Sequence, residues 1–91
     1  MDKKLLSFVL RAKNRRQVLL LLSTANLIPA QIMKRTRMYE SHVSRTLKEL
    51  QKAGLIMCEN PQARRFKFYT TTKLGKDVTK EIKKLLKEMW P

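Results

Sequence analysis

Between residues 29 and 70 the chain carries two clusters of cationic and hydrogen-bonding side chains. The first holds Lys34, Arg35, Arg37, Tyr39, Ser41, His42, Ser44, Arg45 and Lys48. The second is Arg64, Arg65 and Lys67. Guanidinium and ammonium groups carry fixed charge and only donate hydrogen bonds. Their chemistry is therefore recognition of anionic oxygens, and Arg can also pair with a guanine edge through two bonds. The residues that catalysis or metal binding requires are scarce. His42 is the sole histidine and Cys58 the sole cysteine, so neither a histidine metal cluster nor a cysteine zinc site can be assembled, and nothing in the sequence supports a catalytic dyad between the two. There is no glycine-rich phosphate loop, and no carboxylates share an obvious pocket. The expectation is a binding protein and not an enzyme, with no metal and no cofactor. Cys58 reads as a small apolar strand residue.

The overall charge agrees. Lys and Arg number 21 against 7 Asp and Glu, giving a net charge of +14, where a small soluble domain carries a magnitude of roughly 2–8. Such an excess calls for an anionic partner: nucleic acid, acidic lipid or acidic protein. The two basic clusters favour nucleic acid. A single cysteine fits a reducing compartment. The apolar runs at 5–10 and 18–22 fall short of the ~20 residues that a membrane span takes, and no small-residue cleavage site follows the first. The expected location is the cytoplasm, on the nucleoid.

The elements that must position the two clusters follow from periodicity and capping. The 91 residues make one domain, 1–91. Asp2 can cap a helix over 3–12. Asn14 and Gln17 have capping-box spacing for a second helix, 15–24, apolar nearly all round and so central in the core. Pro29 suits the first position of a third helix, 29–36. A short turn leads to a fourth, 40–53, with Val43, Leu47 and Leu50 on its apolar side and Gly54 as its stop. A strand at 55–59, turn residues at 60–63 and a strand at 64–71 make a hairpin. Thr72 can cap a last helix, 73–89, with Leu74, Val78, Ile82, Leu85, Leu86 and Met89 in one stripe. The result is a mainly α fold with a small β-hairpin.

Three motifs in this order resemble the winged helix-turn-helix domain of prokaryotic transcriptional regulators, of the multiple-antibiotic-resistance and arsenic-repressor types. Ser41-His42-Val43-Ser44-Arg45-Thr46-Leu47 is similar to the start of that family's recognition helix. Leu50-Gln51-Lys52-Ala53-Gly54-Leu55-Ile56 is similar to its exit into the wing. Phe68-Tyr69-Thr70-Thr71-Thr72-Lys73-Leu74-Gly75 is similar to its passage into the last helix. The likeness covers residues 16–78. The chain departs from the pattern at Tyr39, where the family often has a capping Ser, at Arg37, where it often has Gly, and at Thr71, where Leu is usual.

The resemblance implies a DNA-binding regulator of transcription. If Val43, Leu47 and Leu50 face the core, then Ser41, His42, Ser44, Arg45 and Lys48 face solvent, where the first turns of such a helix meet base edges in a major groove. Lys34, Arg35, Arg37 and the Tyr39 hydroxyl suit phosphates. Arg64, Arg65 and Lys67 suit the backbone or an adjacent minor groove. Phe66, Phe68 and Tyr69 read more simply as core-filling strand residues than as platforms for unpaired bases. The terminal helices, 1–13 and 73–90, carry more apolar surface than the core needs: Leu5, Phe8 and Val9 on the first, Val78, Ile82, Leu85, Leu86 and Met89 on the last, which runs on to Trp90. Pairing with a second copy about a twofold axis would bury it. The expected partners are double-stranded DNA and a second copy of the chain, with no small-molecule substrate and no membrane. The same features also suit a basic RNA- or ribosome-associated protein of this fold, or an architectural DNA coat without sequence preference. A surface-lying membrane helix at 73–90 is a further reading.

Overall fold

The computed structural model describes residues 2–89, the side chain of Met89 excepted. Its elements are α1 (Lys3–Leu10), α2 (Lys13–Leu22), α3 (Pro29–Thr36), α4 (Glu40–Lys52), β1 (Ile56–Cys58), β2 (Tyr69–Thr71) and α5 (Lys73–Met89). This is the winged helix-turn-helix arrangement. The expected order holds throughout, and the boundaries of α3 and α5 agree to the residue.

The apolar run of α2 makes it the hub, in contact with α1, α3, α4, α5 and β2. Its Val18, Leu19 and Leu22 are buried with Val9, Leu27, Ile32, Val43, Leu47, Leu50, Leu55, Ile56, Val78 and Ile82. Capping explains several ends. The Asp2 carboxylate accepts from Lys4 N at 2.9 Å at the start of α1. The end of α4 is a Schellman turn: Gly54 N donates to Gln51 O at 2.9 Å, Leu55 N donates to Leu50 O at 3.0 Å, and Gly54 takes φ +78.

α2 departs from the expected start. It begins at Lys13, two residues early, with Ala12 as an N-cap that makes no side-chain bond, so the Asn14–Gln17 capping box does not form. The arginines that follow explain the shift. Arg15 Nη1 donates to Phe8 O at 2.9 Å and Arg16 Nη1 to Leu10 O at 2.6 Å. These bonds close the C-terminal carbonyls of α1, end it at Leu10 and fold α2 directly back.

The hairpin is antiparallel, pairing Ile56 with Thr71, Met57 with Thr70 and Cys58 with Tyr69. Both strands are shorter than expected, three residues each. A bridge between Leu27 and Tyr69 adds a third, minimal strand. Just after β2, Thr72 Oγ1 donates to Gly54 O at 2.7 Å and accepts from Gly75 N at 3.0 Å. One hydroxyl thus caps α5 and ties it to the end of α4.

Candidate nucleic-acid interface

The turn between α3 and α4 is built without glycine. Arg37 occupies the left-handed region at φ 61, ψ 22, which costs a residue with a Cβ roughly 1 kcal/mol. Thr36 compensates: its hydroxyl donates to Ile32 O at 2.7 Å and accepts from Met38 N at 3.2 Å. Lys34 and Arg35 lie in the last turn of α3, where cations suit the negative helix end. Tyr39 is the N-cap of α4 and makes no side-chain cap; Glu40 in the first turn supplies the compensating negative charge. The Tyr39 ring is 75% exposed and meets His42 edge-on, with centroids 5.9 Å apart.

The two faces of α4 divide as the spacing predicts. Val43, Leu47 and Leu50 are buried, and so is Thr46. Ser41, His42, Ser44, Arg45 and Lys48 are exposed, as are Lys34, Arg35 and Arg37. Two hollows flank the exposed face. One, of about 350 Å³, lies between His42 and Arg45 and the first turn of α2, where Lys13 and Asn14 line it. The other, of about 230 Å³, brings Ser44 and Lys48 together with Tyr69 at the base of the wing. Sequence reasoning misses Lys13 and Asn14. Cations crowd residues 11–16 and are the available signal, but Asn14 reads there as a helix cap.

Beneath this face, Arg15 Nη2 donates to Glu49 Oε2 at 2.8 Å. The Arg15 guanidinium lies 3.9 Å from the centre of the Phe8 ring. This partly buried arginine fixes α4 against both α2 and α1.

The wing differs most from expectation. Its second strand does not begin at Arg64, because Phe66 takes φ +55 and breaks the extended backbone. Asn60 holds the bend: Nδ2 donates to Phe66 O at 3.0 Å, and Oδ1 accepts from Phe68 N at 2.8 Å. Arg64, Arg65 and Lys67 are all exposed on this irregular tip. Phe66 and Phe68 do not fill the core; they are 66% and 38% exposed. Strand alternation explains Phe68. Ile56 and Thr71 face inward with Cys58 and Tyr69, while Met57 and Phe68 fall on the outer face. Tyr69 packs against the core, and burial, with Cys58 beside it, raises its hydroxyl pKa above the ordinary value.

The terminal helices also need correction. Val9, Val78 and Ile82, expected at a face between copies, are wholly buried within the chain, because α1 packs on α5. Leu5, Phe8 and Leu85 are half-buried and Leu86 is exposed. The Met89 side chain and Trp90 lie outside the described residues.

Among the described residues no group of three or more His, Cys, Asp or Glu side chains could hold a metal. No helix among them is long and apolar enough to cross a membrane. What the exposed face of α4 and the wing tip offer is hydrogen-bonding groups and mostly positive charge, with Glu40 the exception beside Ser44 and Lys48.

Residues 12–57, half of the chain, match the family model described as bacterial regulatory protein, arsR family. No curated protein sequence matches the chain. Among solved structures, the fold is similar to that of ZitR from Lactococcus lactis, with a TM-score of 0.77 and 22% identity over 85% of this chain and 53% of that one. It is similar to reduced HlyU from Vibrio cholerae, with a TM-score of 0.74 and 22% identity over 89% of this chain and 84% of that one. It is also similar to the adhesin competence repressor AdcR from Streptococcus pyogenes, with a TM-score of 0.75 and 20% identity over 86% and 58%. The chain therefore spans about half the length of ZitR. At these identities the likeness is one of fold.

Proposed function

Since this chain belongs to the arsR family of bacterial regulatory proteins, we propose that it is a sequence-specific, double-stranded DNA-binding regulator of transcription that works as a homodimer. α4 enters the major groove. Arg45 reads a guanine through two hydrogen bonds, and Ser41, His42, Ser44 and Lys48 meet neighbouring edges. Lys34, Arg35, Arg37 and Tyr39 hold phosphates on one side, joined by Lys13 across the hollow that it shares with His42 and Arg45. Arg64, Arg65 and Lys67 of the wing grip backbone or minor groove on the other.

The observation that carries this reading is the exposed α4 face, flanked by Lys13 in the first turn of α2 and by the base of the wing, whose tip exposes Arg64, Arg65 and Lys67. Ser44 and Lys48 share a hollow with the base of the wing, and His42 and Arg45 share one with α2. A solvated helix face kept only for solubility needs no such flanking.

The segments 1–13 and 73–90 supply the contact between copies in this reading. Its surface is what the protomer leaves accessible: Leu5, Phe8, Leu85 and Leu86. Two copies would set their recognition helices about 34 Å apart, one turn of duplex.

Selection of bound sequences from a random duplex library tests the proposal. A palindromic preference with half-sites one turn apart is the expected result. Recovery of unselected sequence would leave only a coating role, and a structured RNA competitor that binds tenfold more tightly than duplex would move the assignment to RNA.

A further inference from the structure

The wing ends on an aromatic ring that the protomer leaves without cover. Phe66 is 66% exposed, and its backbone sits at φ +55, a conformation that sterics penalise in any residue with a Cβ. The strain is enforced: the Asn60 amide holds Phe66 O and Phe68 N at 3.0 and 2.8 Å. A wing that served only to hold phosphates would fold better with Gly or Asn at position 66, relieving the backbone and removing a wetted ring. The fold accepts both costs and aims an apolar group outward at a fixed angle.

The surroundings select what the ring meets. Arg64 and Arg65 precede it, Lys67 follows it, and all three are exposed. Between residues 59 and 69 the only acid is Glu59. A purely hydrocarbon surface does not match that ring of charge. A duplex does: it offers phosphates a few ångströms either side of an apolar slot, the gap between stacked base pairs. Proteins that enter minor grooves use such side chains as wedges, flanked by cations.

We propose that Phe66 is a wedge that enters the minor groove at the wing contact, parts one base step and bends the duplex, while Arg64, Arg65 and Lys67 hold the phosphates on either side. This rests on the reading of the chain as a duplex-binding protein and adds a determinant that reads deformability, not base edges. Pyrimidine–purine steps unstack most readily and are the preferred site.

The test uses the full chain and a bound duplex from the library selection, with 2-aminopurine placed at successive steps under the wing and a fluorophore pair on its ends. The wild type is expected to raise 2-aminopurine emission at one step per wing and to shorten the end-to-end distance. Phe66→Ala should lose both signals and about tenfold in affinity, with the salt dependence of binding unchanged. Phe66→Leu should keep most of each. Because the ring is exposed, the circular dichroism and melting of Phe66→Ala should match the wild type or improve on it.

Salt-dependent duplex binding with no emission change and no bend, or the same signals in Phe66→Ala, overturns the wedge and leaves the regulator reading standing. Failure of the wild type to bind duplex at all removes that reading as well. Tighter Phe66-dependent binding to single-stranded nucleic acid, or to vesicles of phosphatidylserine and phosphatidylcholine, overturns the wedge in favour of those surfaces.

Discussion

Arg15 and Glu49 meet at 2.8 Å across the seam between α2 and the recognition helix, the one ion pair among the described residues. Their side chains are 20% and 35% exposed, so water screens the charges only in part. Arg15 also donates to Phe8 O and lies over its ring. Arg15→Ala removes two hydrogen bonds and the packing of the guanidinium, and should cost about 2–3 kcal/mol in urea unfolding. Glu49→Gln keeps the shape and should cost about 1 kcal/mol. Equal costs for the two variants would show that the ion pair carries the whole effect and that the bond and packing to α1 carry none.

The start of α5 is fitted to the end of α4 with no room for a methyl group. A Cβ on Gly75 would stand 2.0 Å from Leu55 O, the oxygen that accepts from Thr72 N at 3.0 Å. Gly75→Ala must separate the two backbones, and we expect a loss of about 2–4 kcal/mol. For a domain of this size that lowers the melting temperature by ~10 °C or more. A fall of under about 3 °C, roughly half of what 1 kcal/mol produces, would mean that the junction opens easily.

Arg37 should give opposite signs in two assays. Glycine at its left-handed position relieves strain but adds freedom to the unfolded chain, and the net gain from Arg37→Gly is about 0.5 kcal/mol. If the side chain holds a phosphate, the same variant binds duplex more weakly at every sequence. A melting temperature that rises while affinity falls is the expected pair; unchanged affinity would remove Arg37 from the interface.

Arg45 and the wing cations should fail differently. Arg45→Ala is expected to cost about 1–3 kcal/mol at the preferred site and to relax the choice at one base position. Arg64→Ala or Arg65→Ala should weaken binding evenly and reduce the slope of log affinity against log salt by about 0.9 for each phosphate no longer neutralised. A uniform loss for Arg45→Ala would assign that residue to the backbone.

Local signals carry most of the fold. Pro29, Gly54 and Thr72 act at the boundaries where their chemistry puts them, and the spacing of Val43, Leu47 and Leu50 separates the buried from the open face of α4. What stays hidden depends on partners distant in sequence. Nothing near Asn14 shows that arginines at 15 and 16 close α1 and move the start of α2. The aromatic and Thr-rich run at 64–71 reads as a strand until the Asn60 amide is seen to take its backbone bonds at Phe66 and Phe68. The stripe on α5 is regular along its length, but periodicity does not say which part α1 covers. Val78 and Ile82 therefore read as surface residues, although they are buried and it is Leu74, Leu85 and Leu86 that approach the surface. In the candidate site, the residues on α4 are legible from their helix, whereas Lys13 joins them only through tertiary packing.

The reciprocal hydrogen bonds between Leu27 and Tyr69, at 3.2 and 2.9 Å, divide the wing into two regimes of motion. At the base, amide protons sit in a three-stranded patch on the core, and their exchange with solvent requires cooperative opening of the domain. Between residues 62 and 67 the tip is held by few bonds, from Ala63 N to Asn60 O at 3.0 Å and from the Asn60 side chain to Phe66 O and Phe68 N, so its amides exchange through local excursions at lower free energy. Such excursions are departures from the Asn60-held conformation, which remains the one that presents Phe66 to a partner. Capture by a partner should appear as a selective slowing of exchange at these few amides, with the rest of the protection map unmoved.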